Sequence, residues 1–210
     1  MMGKLIVIEG VSDGVGKSTQ VKELYNKLIK SGKEVVYHHF PSYGSIGASL
    51  LEEYLKGNLG NREDIGPYAI SSFFAMDRFY IYHNKLKKDL ENGKIVLLDR
   101  YTTSNLIYQG SFFKDKEEFL DYITDYEYNK LGLKKPDLVI FLKLDKSIAK
   151  ELRKNRDNEG VEGDINEEDS SFLDKVYDNS LYVADKYNFK IIECSKDGVL
   201  RSIYLKYKSY

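Results

Sequence analysis

The sequence predicts an α/β fold in three layers: a parallel five-stranded sheet with helices on both faces. Three observations carry this. Short apolar runs alternate along the chain with stretches of helical period. The runs "KIVLLD" and "DLVIFLKL" are apolar almost throughout, as strands buried on both faces are. The first apolar run also passes through a glycine-rich turn directly into an amphipathic stretch. A length of 210 residues suits one domain, and no repeat, low-complexity segment or linker divides it, so residues 1–210 read as a single unit.

The elements follow in order. Lys4 to Glu9 reads as the first strand. Val21, Leu24, Tyr25 and Leu28 fall at i, i+3, i+4 and i+7, one face of a helix that "SGK" ends. "EVVYHHF" is the second strand. Its adjacent His38 and His39 point to opposite faces, one inward and one outward, which argues against a shared metal. Ile46, Leu50, Leu51, Tyr54 and Leu55 suggest a helix stopped near Gly57, and a longer helical region runs from about Pro67 to Leu90. "KIVLLD" and "DLVIFLKL" are the third and fourth strands. "SIAKELRKNR" is helical, and the acidic, glycine-containing "DNEGVEGDINEED" reads as a mobile loop. A helix from about Phe172 to Lys186, the strand "FKIIEC" and a closing helix over "VLRSIYLKY" complete the chain.

Composition narrows the function. A formal net charge of -1 argues against a dedicated nucleic-acid binder, while leaving room for a local basic pocket. The 1 cysteine, Cys194, excludes an internal disulfide or a CxxC metal site, and its apolar neighbours make it a buried strand residue. No apolar run approaches the ~20 residues that span a bilayer. The N-terminal "MMGKLIVIEG" lacks the features of a signal peptide, so a cytoplasmic protein without a membrane segment is expected.

The turn after the first strand is "GVSDGVGKST". It carries the Gly-Lys-Ser of a phosphate-binding loop, whose backbone N–H groups and helix N-terminus hold phosphate oxygens. Gly14 and Gly16 permit the tight backbone. Val15 and Thr19 contribute amides, Lys17 reaches the β- and γ-phosphates, and Ser18 ligates Mg²⁺. The usual spacing has four residues between the two outer glycines. Here Gly10 and Gly16 are separated by one more, so the loop is stretched upstream of Asp13. A second nucleotide signal agrees: the strand "IVLLD" ends in Asp99, a carboxylate of the kind that holds Mg²⁺, and Arg100 follows at the strand's carboxyl end. No Asn-Lys-x-Asp for reading guanine is present, which disfavours a GTPase.

Several stretches, "DGVGKSTQ", "FPSYGSIG", "FFAMDRF", "LLDRYTTSNLIYQGS" and "PDLVIFLKL", come in the order and spacing of thymidylate kinases, and the chain resembles that family over nearly its whole length. The resemblance implies a P-loop NTPase fold with a short lid at about 153–170. It implies ATP as donor, Mg²⁺ as cofactor, dTMP as acceptor and a homodimer. It makes Phe74 the ring that stacks on thymine, with Arg78 one helical turn later at the base edge. Read by themselves, the two fit core packing and a surface ion pair with Asp77. The resemblance places Arg100 on the monophosphate, Ser104 and Gln109 around the base, and Tyr108 beside the sugar. Phe40 and Pro41 shape the acceptor pocket. Many members carry an arginine soon after that pair. Here the run is Ser42, Tyr43, Gly44, Ser45, which leaves Arg78 and Arg100 to serve that corner. Asp13 matches the loop carboxylate near the acceptor sugar. Gly14 stands where some members have an arginine, so the lid arginines Arg153 and Arg156 are expected to neutralise the transferred group. Two other readings stay open: a kinase for another nucleoside or nucleotide, and an ATP-binding regulator without turnover.

Overall fold

The computed structural model describes residues 2–11, 17–151, 169–196 and 199–200. The chain runs β1 (Leu5–Glu9), α1 (Lys17–Lys30), β2 (Val35–His39), a 3₁₀ turn (Ile46–Ala48), α2 (Ser49–Leu55), α3 (Arg62–Ile65) and α4 (Pro67–Ile81). A π-helical turn (Tyr82–Leu86) joins α4 to α5 (Lys87–Glu91). Then come β3 (Ile95–Asp99), α6 (Thr102–Tyr108), a 3₁₀ turn (Gln109–Phe112), α7 (Glu117–Thr124) with a second π-helical turn (Asp125–Lys130), and β4 (Leu138–Lys143). Residues 146–151 are helical and form α8. The helix α9 (Ser170–Lys186), β5 (Lys190–Glu193) and a two-residue ladder of β6 (Ser195–Lys196) with β7 (Val199–Leu200) follow.

All five long strands pair in parallel, in the order β2-β3-β1-β4-β5. Side-chain alternation along β1 splits the core in two. Ile6 and Ile8 pack with Val21, Leu24 and Leu28 of α1 on one face. Leu5 and Val7 pack with Tyr82, Leu86 and Leu90 on the other. A third cluster joins Phe141 to Leu106, Phe119, Leu120, Ile123, Val176 and Val183, and so fastens α6, α7 and α9 to the sheet. Every residue of β1 is buried, which is why the run shows no polar alternation. Cys194 is a buried free thiol, pushed up to about 12 by burial and then by the charge of Glu193.

Two expectations are corrected. Val199 and Leu200 pair antiparallel with Ser195 and Lys196 instead of opening a helix, and residues 201–210 lie outside those described. Ile46 and Leu50 do not face inward: they are 78% and 53% exposed, while Leu51, Tyr54 and Leu55 are buried. The 3₁₀ turn before α2 changes the angular step at Ile46, while Leu50, inside α2, stands at the edge of the stripe, about 100° from Leu51 and about 140° from Leu55. The segment 111–135, which shows no strong apolar run, contains α7 and its π-helical turn. Nearly all of the acidic loop lies outside the described residues; Asp169, at its end, caps α9 by accepting from Ser171 N and Phe172 N.

Candidate active site

The carboxyl ends of β1, β2 and β3 lie side by side and bring together Glu9, Phe40, Asp99 and Arg100. The backbone fixes this edge: Arg100 N donates to Ile8 O at 3.1 Å, and Phe40 N donates to Asp99 O at 3.0 Å. Arg100 sits in the left-handed region, with φ 66°, which a residue with a Cβ adopts only against a steric cost. Its guanidinium lies 5.3 Å from the centre of the Tyr108 ring, and Nη1 donates to Tyr108 Oη at 3.2 Å. Tyr108 Oη donates in turn to Val11 O at 3.3 Å.

Glu9 holds this arrangement from below. Its carboxylate is wholly buried. Oε2 accepts from Thr103 Oγ1 and Ser104 Oγ, each at 2.8 Å, and Oε1 lies 3.7 Å from Arg100 Nη1. One carboxylate thus ties the first turn of α6 to the end of β1 and pairs with the arginine between them. A buried charge needs this full set of partners.

Lys17 opens α1 and is buried, while Ser18 and Thr19 are exposed in its first turn. Asp13, Gly14, Val15 and Gly16 lie outside the described residues. Asp99 is buried, and His39 Nδ1 lies 3.5 Å from its Oδ2. Burial raises the Asp99 carboxyl, but the His39 hydrogen bond and the charges of Lys17, His39 and Arg100 outweigh it and hold the group below its ordinary value. Its other oxygen, Oδ1, is buried without a hydrogen-bond partner among the described residues. An ionised carboxylate with one unpartnered oxygen beside a lysine suits a hard cation bound jointly with phosphate, since Mg²⁺ takes one or two carboxylates and keeps several waters.

The residues expected on the acceptor side lie just after β2 and on α4 and α6. Phe40 is buried and Pro41 partly so, and the bond between them is cis. The run after them is anchored to α4. Asp77 Oδ2 accepts from Ser42 N at 2.8 Å, and Oδ1 accepts from Ser45 Oγ at 3.3 Å. His38 Nε2 and Ser42 Oγ are 2.7 Å apart. Burial, then Lys85 and His39, push His38 down to about 4, so it is neutral at pH 7. Gly47 lies so close to α4 that an added Cβ would meet Tyr80 Cβ at 2.6 Å, which requires glycine there.

Phe74 is half-buried and meets Tyr54 edge-on at 6.5 Å. Arg78 does not form a surface pair with Asp77. It is 1% exposed, and its Nε and Nη2 donate to the two oxygens of Glu127, each at 2.7 Å. Ser104 is partly buried and Gln109 fully so, at the two ends of α6. Arg153 and Arg156 lie outside the described residues, as does nearly all of the expected lid.

Comparison with known proteins fits this geometry. The thymidylate kinase family model matches residues 8–202. The chain belongs to the thymidylate kinase family. Its relatives in that family include the probable thymidylate kinase of Pyrobaculum aerophilum, 35% identical over 191 residues that cover 91% of this chain and 88% of the relative. The thymidylate kinase of Thermosipho melanesiensis is 28% identical over 193 residues, covering 91% and 90%. Among solved structures, the thymidylate kinase of Candida albicans, reported as revealing the origin of its broad substrate specificity, superposes with a TM-score of 0.68. The identity there is 26%, over 91% of this chain and 84% of that one.

Sequence reasoning missed Glu9, Asn105 and Glu127. Glu9 ends an otherwise apolar strand, as Asp99 does, and that parallel was its signal. Glu127 follows Phe119, Leu120 and Ile123 at helical spacing, an acid on the buried face of an amphipathic helix.

Proposed function

We propose that this chain transfers the γ-phosphoryl group of ATP to dTMP, giving dTDP and ADP on the path to dTTP. The carrying observation is the junction of Lys17, Asp99 and Arg100 at the strand ends, in a chain whose family match spans nearly its whole length. An oxygen of the acceptor monophosphate attacks the γ-phosphorus as the bond to the β–γ bridging oxygen breaks. The protein's work is alignment, charge cancellation and exclusion of water. Lys17 and the amides of residues 14–19 hold the donor phosphates. Arg100 takes the acceptor phosphate, with its guanidinium fixed by Glu9 and Tyr108. Phe74 and Arg78 take the base, Ser104 and Gln109 surround it, Phe40 and Pro41 shape the pocket, and Tyr108 lies along the sugar. Ser18 and Asp99 would hold Mg²⁺, which supplies charge neutralisation between the phosphates. Asp13 and the arginines Arg153 and Arg156 enter this proposal from the family resemblance. So does a lid near 153–170, while the reading of 1–210 as one domain and a cytoplasmic location carry over from the length and hydropathy of the chain. Among the described residues no helix is long and apolar enough to cross a membrane.

The test is ADP production from ATP and Mg²⁺ with dTMP, dUMP, dCMP, dAMP, dGMP and thymidine as separate acceptors. Turnover with dTMP well above the rest is expected. Silence with every acceptor, in protein that still binds ATP, would favour a regulator, a reading that the stretched loop and the absence of arginine among residues 42–45 support.

A homodimer belongs to the same proposal. Ile46, Leu50, Met76 and Phe79 are exposed apolar side chains on two segments that pack together through Gly47 and Tyr80. Sedimentation is expected to show a dimer that Leu50→Lys weakens; a monomer at every concentration refutes this face as an interface.

A further inference from the structure

Arg78 is nearly fully buried, yet only two of its nitrogens have acceptors. Nε and Nη2 donate to the Glu127 carboxylate, and Nη1 has none among the described residues. A guanidinium offers five N–H donors in one plane. The bidentate pair fixes that plane and leaves the Nη1 end for something else.

Glu127 does more than neutralise Arg78. Its Oε1 also accepts from Asn105 Nδ2 at 2.7 Å, and Asn105 Nδ2 reaches Ser71 O at 2.9 Å. One buried carboxylate therefore joins α4, through Arg78 and Ser71, to α6, through Asn105. Glu127 itself stands on the π-helical turn that follows α7. Such turns alter the angular step of a helix and recur at functional sites. Burying an ion pair gives little or no net stability over well-packed apolar side chains. The pair therefore calls for a reason other than stability.

Resting on the reading of dTMP as acceptor, we infer that Glu127 is a positioning residue for the nucleobase, acting through Arg78 and Asn105. It holds the guanidinium so that Nη1 meets the polar edge of the base stacked on Phe74. It also sets the spacing between α4 and α6, which carry the two sides of the acceptor pocket.

The test is Glu127→Gln. The amide keeps the volume, but turns an N–H₂ toward donors on Arg78 or Asn105. After dTMP turnover has been shown for the wild-type enzyme, KM for dTMP is expected to rise about tenfold or more, since hydrogen bonds to charged groups are among the stronger ones. KM for ATP should not move, and a purely structural role would not split the two. Wild-type turnover with an unshifted KM for dTMP in the variant overturns this inference alone. Wild-type protein silent with dTMP overturns it together with the acceptor assignment. Should the variant fail to fold, the wild-type protein supplies the readout. The Arg78 Nε–H resonance, assigned by its loss in Arg78→Lys, should exchange slowly with solvent and shift on saturation with dTMP but not with ATP. A resonance that dTMP leaves in place overturns the inference.

Discussion

Replacing Lys17 by alanine is expected to lower kcat by about 10²- to 10³-fold, the usual cost of removing one preorganised donor from a developing charge. Lys17 is buried at the start of α1, next to the glycine-rich stretch of the sequence, and its charge is felt by Asp99 at the end of β3. Low exposure makes that charge act at close to full strength on phosphate oxygens. Affinity for dTMP should stay within about twofold, because distant sites behave independently and the acceptor residues stand on α4 and α6. Steady-state kinetics and calorimetric titration with dTMP measure the two quantities. Wild-type turnover in the variant would remove Lys17 from the donor site. A second effect follows from Asp99. Its carboxyl is held below the ordinary value, so it contributes stability that is present above the unfolded pKa and lost as pH falls through the folded one. Removing Lys17 weakens that hold, and acid unfolding of the variant should begin at a higher pH.

The elements legible in sequence were those whose signal is local. The strands at Leu5–Glu9 and Ile95–Asp99 are short apolar runs ending in an acid, and α1 shows a clean helical stripe. Lys17, Asp99 and Arg100 were legible because each stands at a strand end or helix start fixed by those runs. What stayed hidden depends on pairing across the chain. Glu127 and Arg78 each look like surface charges until they meet across 49 positions. Glu9 reads as the polar end of a strand until Thr103 and Ser104 fold onto it. The exposed Ile46 was misplaced because a 3₁₀ turn advances by a different angle from an α-helix, and Leu50 because it stands at the edge of the stripe that Leu51, Tyr54 and Leu55 bury. The ladder of Ser195–Lys196 with Val199–Leu200 has too few residues to show a period of two.

Arg100 offers the sharpest separation of stability from activity. At ordinary positions glycine costs stability relative to alanine, because the unfolded chain gains freedom. At φ 66° the order should reverse, since a Cβ in the left-handed region costs about 1–2 kcal/mol that glycine does not incur. Arg100→Gly is therefore expected to be more stable than Arg100→Ala by about 1 kcal/mol in urea unfolding. Both variants leave Glu9 without its guanidinium, so that loss cancels in the comparison. In turnover the two should be alike, each down by about 10³-fold or more, the scale set by an arginine that neutralises a transferring phosphoryl group. An alanine variant as stable as the glycine one would mean that the left-handed backbone is not held in the native protein. Retained turnover in either would remove Arg100 from the acceptor phosphate. The pattern expected here, strain kept at a residue proposed to hold the acceptor phosphate, has a physical sense. The left-handed turn ends β3 abruptly, and lets Arg100 N bond Ile8 O while its side chain runs back between Glu9 and Tyr108. A relaxed backbone would aim the same side chain elsewhere, and the steric cost at this position is offset by a guanidinium already held in place before the acceptor arrives.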